Sequence, residues 1–147
     1  MKYSLEVLKE IKEEISPLFE KAWEEVDFLA DHVELDPDWD LAIKMEEMGM
    51  FRTYTMREEG VLVGFTCVIV QPLLHSRSNF HSAVDVAYID PSHRGSFKSF
   101  LRLIESDLKD QGVKTFSFNL KSWDKTGEFL KKEGYTHTEN EYMKVVN

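Results

Sequence analysis

The chain has a single cysteine, Cys67, so no internal disulfide can form, and this points to a reducing compartment. With four prolines and seven glycines among 147 residues, it has no collagen-like or low-complexity tract. No apolar run approaches the roughly 20 residues needed to span a bilayer as a helix. The opening residues, Met1-Lys2-Tyr3-Ser4-Leu5-Glu6, interrupt their apolar positions with charge and lack the pattern of a signal peptide. Positive charge is also scarce: 18 Lys and Arg stand against 27 Asp and Glu, a net charge of −9. Nonspecific affinity for nucleic acid rests on cations against phosphate, so that partner is disfavoured. The five histidines and one cysteine show no metal-ligand spacing, and no Gly-x-Ser-x-Gly elbow of a hydrolase is present. The expectation is a cytoplasmic chain with no membrane, nucleic-acid or metal partner.

With 42% hydrophobic residues, the chain can build a core without staples, and residues 1–147 read as one domain. Leu8, Ile11, Ile15, Leu18, Phe19, Ala22, Trp23 and Val26 recur at helical spacing, which predicts an amphipathic helix over about 9–26, kinked or restarted at Pro17 with Ser16 as a cap. Leu35–Asp40 forms a turn into a short helix over 38–48, stopped by Gly49. The period then changes. Residues 51–56 and 61–71 read as a β-hairpin across Glu58-Glu59-Gly60, residues 72–79 as a loop, and residues 80–89 as a third strand. A helix over 96–111 places Phe97, Phe100, Leu101, Ile104 and Leu108 on one face and ends at Gly112. A strand over 114–120, a helix over 126–132 ended by Gly134, and a last strand or hairpin arm over 135–146 complete the chain. This order predicts an α+β (mixed α/β) sheet with helices on both faces, in which strands 80–89 and 114–120 run parallel across a helical crossover.

The stretch Val86–Ser99 carries the most chemistry. A buried strand ends at Ile89, a turn supplies Arg94 and Gly95, and a helix begins beside Lys98. Helix starts leave backbone N–H groups unpaired and favour anions, so this turn is a candidate for phosphate or pyrophosphate. Asp85 interrupts an otherwise apolar strand, and alternation would set it on the face of Ala87 and Ile89. A carboxylate in that setting is paired, hydrogen-bonded or placed in a cleft. His75 lies in the loop after strand 61–71. His81 and His93 read as surface groups, His93 near the turn. Cys67 reads as a small core residue. Acidic residues crowd the first third of the chain, from Glu10 to Asp40: either a solvated helix face or a rim that draws a cationic substrate.

The segment Ala87-Tyr88-Ile89-Asp90-Pro91-Ser92-His93-Arg94-Gly95, together with Gln111-Gly112-Val113 and Glu128-Phe129-Leu130-Lys131-Lys132-Glu133-Gly134-Tyr135, resembles the GNAT superfamily of N-acetyltransferases. The chain is similar in particular to small phage-encoded members, also through Leu35–Asp40 and Gln71–His75. The resemblance implies a central mixed sheet of about six to seven strands with a splayed parallel pair. It also implies acetyl-CoA as donor and an amine as acceptor, either a small molecule or an amine on a protein, in the cytoplasm (the host's, if the chain is phage-encoded). Arg94, Gly95, Ser96, Phe97, Lys98 and Ser99 would meet the pyrophosphate, and the backbone of Ala87, Tyr88 and Ile89 would pair with the pantetheine amides. Asp85 or His75 would take a proton from the amine, and Tyr142 or Tyr88 would give one to the leaving thiolate. Residues 27–49 and 72–79 would contact the acceptor, Trp123 could line the cleft mouth, and a homodimer could form through the C-terminal strand. Two departures stand out. The turn after Arg94-Gly95 is about two residues short and lacks a second glycine, and Leu130 stands where many members carry a tyrosine acid. A catalytically silent binding or regulatory module is therefore the alternative.

Overall fold

The computed structural model describes residues 1–147, apart from the side chain of Asp27. Among the described residues, five strands form one sheet in the order β1 (Lys2–Glu6), β2 (Phe51–Glu58), β3 (Val61–Leu73), β4 (Ser76–Ile89) and β5 (Val113–Ser117). The first four are antiparallel neighbours, and β4–β5 is the expected parallel pair. The fold class is as expected, but the sheet has five strands rather than six to seven. No strand is predicted at 2–6, where Leu5 and Glu6 pair with Tyr54 and Thr53 along the free edge of β2. One is predicted at 135–146, and none forms there. The polar run Thr136–Glu141 offers neither alternating face anything to bury, so a strand would gain little. The strand on which the homodimer expectation rested is thus not formed. The loop expected at 72–79 is also absent: β3 and β4 run on to a two-residue turn, Leu74-His75, between Leu73 and Ser76.

Helices cover both faces. On one lies α1 (Leu8–Glu24), which buries Leu8, Ile11, Ile15 and Ala22 against Phe51, Phe65, Cys67 and Tyr88. It passes through Pro17 as one helix, so of the kink or restart expected there the restart does not occur. Val7 offers no side-chain cap, and the Glu46 carboxylate instead accepts the Leu8 N–H at 3.0 Å. Glu46 belongs to α3 (Trp39–Glu47), whose start is capped by Asp38 accepting from the Leu41 N–H at 2.9 Å. Phe19 stacks on Phe65 and meets Trp39 edge-on, both at 5.0 Å, so α1 and α3 share one aromatic seam. A short α2 (Asp27–His32) joins them.

The opposite face is covered by α4 (Phe97–Asp110). Its Phe100, Ile104 and Leu108 pack with Tyr54, Met56, Val68 and Val70. Asp107 anchors this helix to β2, accepting from Tyr54 Oη and pairing with Arg52, each at 2.7 Å. The chain then turns at Gly112, which has a left-handed φ of +78°, and enters β5. A last helix, α5 (Thr126–Lys132), buries Leu130.

Gly64 sets how closely β3 and β4 approach at the end of β4. A methyl group there would lie 3.1 Å from the Tyr88 carbonyl oxygen and 3.2 Å from Ile89 Cγ1. Tyr88 is buried, so its backbone has little room to yield. Gly64→Ala should cost about 1–3 kcal/mol by overpacking, read as a lowered urea midpoint with an unchanged slope.

Candidate active site

The β4–β5 ladder runs from Phe80↔Val113 to Ala83↔Ser117 and stops there. β4 continues to Ile89, while the chain leaves β5 at Ser117 and passes through residues 118–125 to α5. From Val84 onward β4 keeps only β3 as a neighbour, so the sheet opens into a wedge at the carboxyl ends of its parallel strands. Such openings are where ligands enter α/β sheets. Along the wedge Ala87 is exposed, Tyr88 is buried and Ile89 is half-buried. Of the three residues expected to offer backbone to a donor, Tyr88 is paired with Phe65 of β3, and the Ile89 carbonyl accepts from Arg94 at 3.0 Å, which leaves Ala87 on the open edge.

A β-bulge places Asp85. Cys67 pairs with Val86 and Val68 with Val84, leaving Asp85 as the extra residue between them. The bulge resets the alternation. Ile89 packs with the α4 cluster and Val86 and Tyr88 with the α1 cluster, so Asp85 does not share the face of Ala87 and Ile89. It lies on the Cys67 side, where its charge is one of the causes, after burial, that push the Cys67 thiol up. Solvent reaches Asp85, yet the surrounding protein crowds the carboxyl enough that desolvation raises it above the usual carboxylate range.

The turn that follows is more ordered than the sequence implied. Pro91–Ser96 forms a 3-10 helix, begun by the Asp90 carboxylate accepting the Ser92 N–H at 3.0 Å, and it runs directly into α4. The Phe97 N–H is used by the Arg94 carbonyl, so the expected row of free amides is shorter by one. Arg94 and Lys98 have partners as well. Arg94 donates to the Ile89 carbonyl at 3.0 Å and to Glu25 at 2.6 Å. Lys98 and Arg102 share Glu133, at 2.9 and 2.7 Å, and Lys98 chiefly holds that carboxyl below its usual range. Glu58 is 2.7 Å from His93 and raises its ring. Arg94, Gly95, Lys98 and Ser99 are nonetheless exposed, and Ser96 and Phe97 half-buried. A side chain at Gly95 would meet nothing within 4 Å. The Arg94–Glu25 pair is half-exposed, and pairs of that kind exchange at a cost of about 1 kcal/mol or less.

The other candidates do not gather here. His75 is exposed at the β3–β4 turn, ten residues along β4 from Asp85 and about 33 Å away at strand rise. Residues 72–79 go with it, away from the wedge. Tyr142 is 91% exposed in the C-terminal segment, and Leu130 is buried in the core. Trp123 is exposed in the segment that leaves β5. Glu25, which the sequence offers only as part of the acidic first third, and Glu133, just past α5, oppose the two expected phosphate cations. Among the described residues no three His, Cys, Asp or Glu side chains assemble into a metal cage, and no helix is long and apolar enough to cross a membrane. Two surface hollows, one lined by Leu108, Val113 and Phe116 and the other by Arg52, Phe80 and Gln111, include no wedge residue beyond the start of the ladder.

No sequence-family model matches the chain, and no curated protein does. Solved structures do. A ribosomal-protein-alanine N-acetyltransferase from Brucella melitensis biovar Abortus 2308 superposes with a TM-score of 0.71 at 17% identity, covering 100% of both chains. A GCN5-related N-acetyltransferase from Ralstonia eutropha JMP134 gives 0.72 at 16% identity over 98% of this chain and 97% of its own. Aminoglycoside N-acetyltransferase AAC(6')-Iy in complex with CoA gives 0.69 at 13% identity over 99% of each chain. The fold is that of the N-acetyltransferases. Identities this low carry the N-acetyltransferase fold alone, so the chemistry of this wedge rests on its own residues.

A carboxyl whose native pKa is raised is disfavoured as an anion in the folded state. The cost is full at neutral pH and vanishes below the unfolded value, where both states are protonated. Asp85→Asn should therefore raise the thermal midpoint at neutral pH. The gain should shrink as pH falls through about 4, as followed by circular dichroism melts across that range.

Proposed function

We propose that residues 1–147 act as a single acyltransferase unit that moves an acetyl group from acetyl-CoA to a primary amine by direct attack. The observation that carries this reading is the end of the β4–β5 ladder at Ala83↔Ser117, which leaves residues 84–89 with a free edge leading straight into the turn at 91–99. An extended amide-bearing arm can add to such an edge as a further strand beside Ala87, Tyr88 and Ile89, with Ala87 supplying free backbone and the Ile89 carbonyl exchanging its Arg94 contact for the arm. Arg94, Lys98 and Ser99, with the open face of Gly95, would meet the diphosphate. When bound, the donor supplies an activated thioester carbonyl.

Asp85 is the candidate that faces the acceptor. Its solvent-reachable carboxylate attracts an ammonium, and its raised pKa brings it nearer to useful proton transfer at neutral pH. His75 and Tyr142 would serve only through rearrangements of the hairpin tip and the C-terminal segment. The similar structures include enzymes named for a protein alanine and for aminoglycosides. Either class of acceptor, a protein amine or a cationic small molecule, is compatible with the acidic first third of the chain. A cytoplasmic site would supply the donor.

Two observations favour a second reading, a silent binding module: Arg94 and Lys98 already carry carboxylate partners, and no tyrosine stands at Leu130. Calorimetric titration with acetyl-CoA separates the two. The acyltransferase should bind with a Kd on the order of micromolar, and Arg94→Ala should weaken binding roughly tenfold to a hundredfold. Glu25→Gln should tighten it by up to about fivefold, since Arg94 is then released from its competitor. Absence of binding at millimolar acetyl-CoA leaves only the module. With binding established, thiol release across a panel of amines identifies the acceptor class.

A further inference from the structure

His81, Thr115 and Ser117 meet at the apex of the wedge. In the ladder His81 is opposite Thr115, and Ala83 is opposite Ser117. The imidazole spans the two strands: Nδ1 lies 2.7 Å from Thr115 Oγ1, and Nε2 lies 3.2 Å from Ser117 Oγ. Behind them the Ser82 hydroxyl donates to the Thr115 carbonyl at 3.0 Å and holds β5 against β4. Ser82 and Val84 sit opposite Val70 and Val68, which pack on the α4 side, so His81, Ala83 and Asp85 line the other side of β4. His81 and Ser117 are half-buried rather than sealed. Ser117 is the last hydroxyl before the strands part, and its ladder partner Ala83 precedes Asp85 by two residues.

Amide formation from an ammonium gives this cluster a task that Asp85 cannot complete alone. Two protons must leave the nitrogen. One departs to make the amine nucleophilic, the other as the C–N bond forms, and the released thiolate needs one back. We propose that Asp85 takes the first proton and that Ser117, backed by His81, carries the second. Ser117 Oγ receives the N–H proton of the attacking amine while its own hydroxyl proton passes to His81 Nε2. The same pair then returns one proton to the sulfur as the C–S bond breaks. The balance is one C–N bond formed, one C–S bond broken, one proton moved from nitrogen to sulfur and one passed through Asp85 to solvent, with no change of oxidation state. Ser117 is the residue that touches substrate, and His81 acts through it. The relay needs a neutral ring whose Nδ1–H donates to Thr115 Oγ1 and whose Nε2 is bare, the tautomer that lets Ser117 donate.

The inference rests on the acyl-transfer reading, and the experiment keeps the two apart. Nitrogen-15 NMR of the histidine-labelled full chain, with His81 assigned by its loss in His81→Gln, should show the Nδ1–H tautomer. Ser117→Ala should shift the Nε2 resonance, and Thr115→Val should move the ring toward the Nε2–H form. Added acetyl-CoA should perturb both ring nitrogens. With an amine that is turned over, His81→Gln and Ser117→Ala should each lower kcat by about a hundredfold and leave the KM for acetyl-CoA within about twofold, while Ser117→Thr, which keeps the hydroxyl, retains most of the rate. A His81 in the Nε2–H form, acetyl-CoA binding that leaves its resonances in place, or an unchanged kcat in His81→Gln each overturns the relay and leaves the acyltransferase standing. A chain that binds no acetyl-CoA overturns both.

Discussion

β5 holds to β4 through four residue pairs and then lets go, and every candidate function depends on that limited contact. Parallel strands gain from pairing along their whole length, so a strand left open on one edge must be compensated by what surrounds it. Here the compensation is aromatic. Phe116 and Phe118 lie 4.9 Å apart, and Phe118 also meets Phe97 of α4 and Tyr135, at 6.2 and 5.6 Å. This cluster draws the chain toward α4 and α5 just where it leaves β5. The wedge is thus a product of packing on the α4 side, while its free edge and its hydroxyl and imidazole groups lie at the boundary with the other side.

A second consequence is that the electrostatics of the turn at 91–99 are already balanced. Arg94, Lys98 and His93 face Glu25, Glu133 and Glu58. An anion arriving there competes with carboxylates rather than filling an empty positive site. The pairs are solvent-exposed on at least one partner, so the competition is mild for a multiply charged diphosphate and severe for a weakly charged ligand. For a chain with a net charge of −9, the turn at 91–99 is thus one of the few places where positive side chains gather, each beside a carboxylate.

Much of the architecture was legible locally. α4 follows from the spacing of Phe100, Leu101, Ile104 and Leu108, and the β2–β3 hairpin from Glu58-Glu59-Gly60, because helix faces and tight turns are fixed by neighbours in sequence. The parallel β4–β5 pair followed from a crossover too long for a hairpin. Less legible were β1, which exists because β2 offers it an edge, and the C-terminal segment, whose chain has no partner to make it a strand. Sequence could not place His75 either. Its distance from Asp85 depends on β3 and β4 continuing through Pro72 and Ser76 to a two-residue turn.

By itself, the sequence determined the class of fold, the strand-turn-helix from Val86 to Ser99 and the presence of an acid in an apolar strand, since each is a property of consecutive residues. Only the tertiary structure decided that Asp85 sits in a bulge and so changes face, that Glu25 and Glu133 reach the turn's cations, and that His81 lies between Thr115 and Ser117. Those depend on register between strands and helices tens of residues apart. A one-residue slip in register reverses which side chains meet, and nothing local records it.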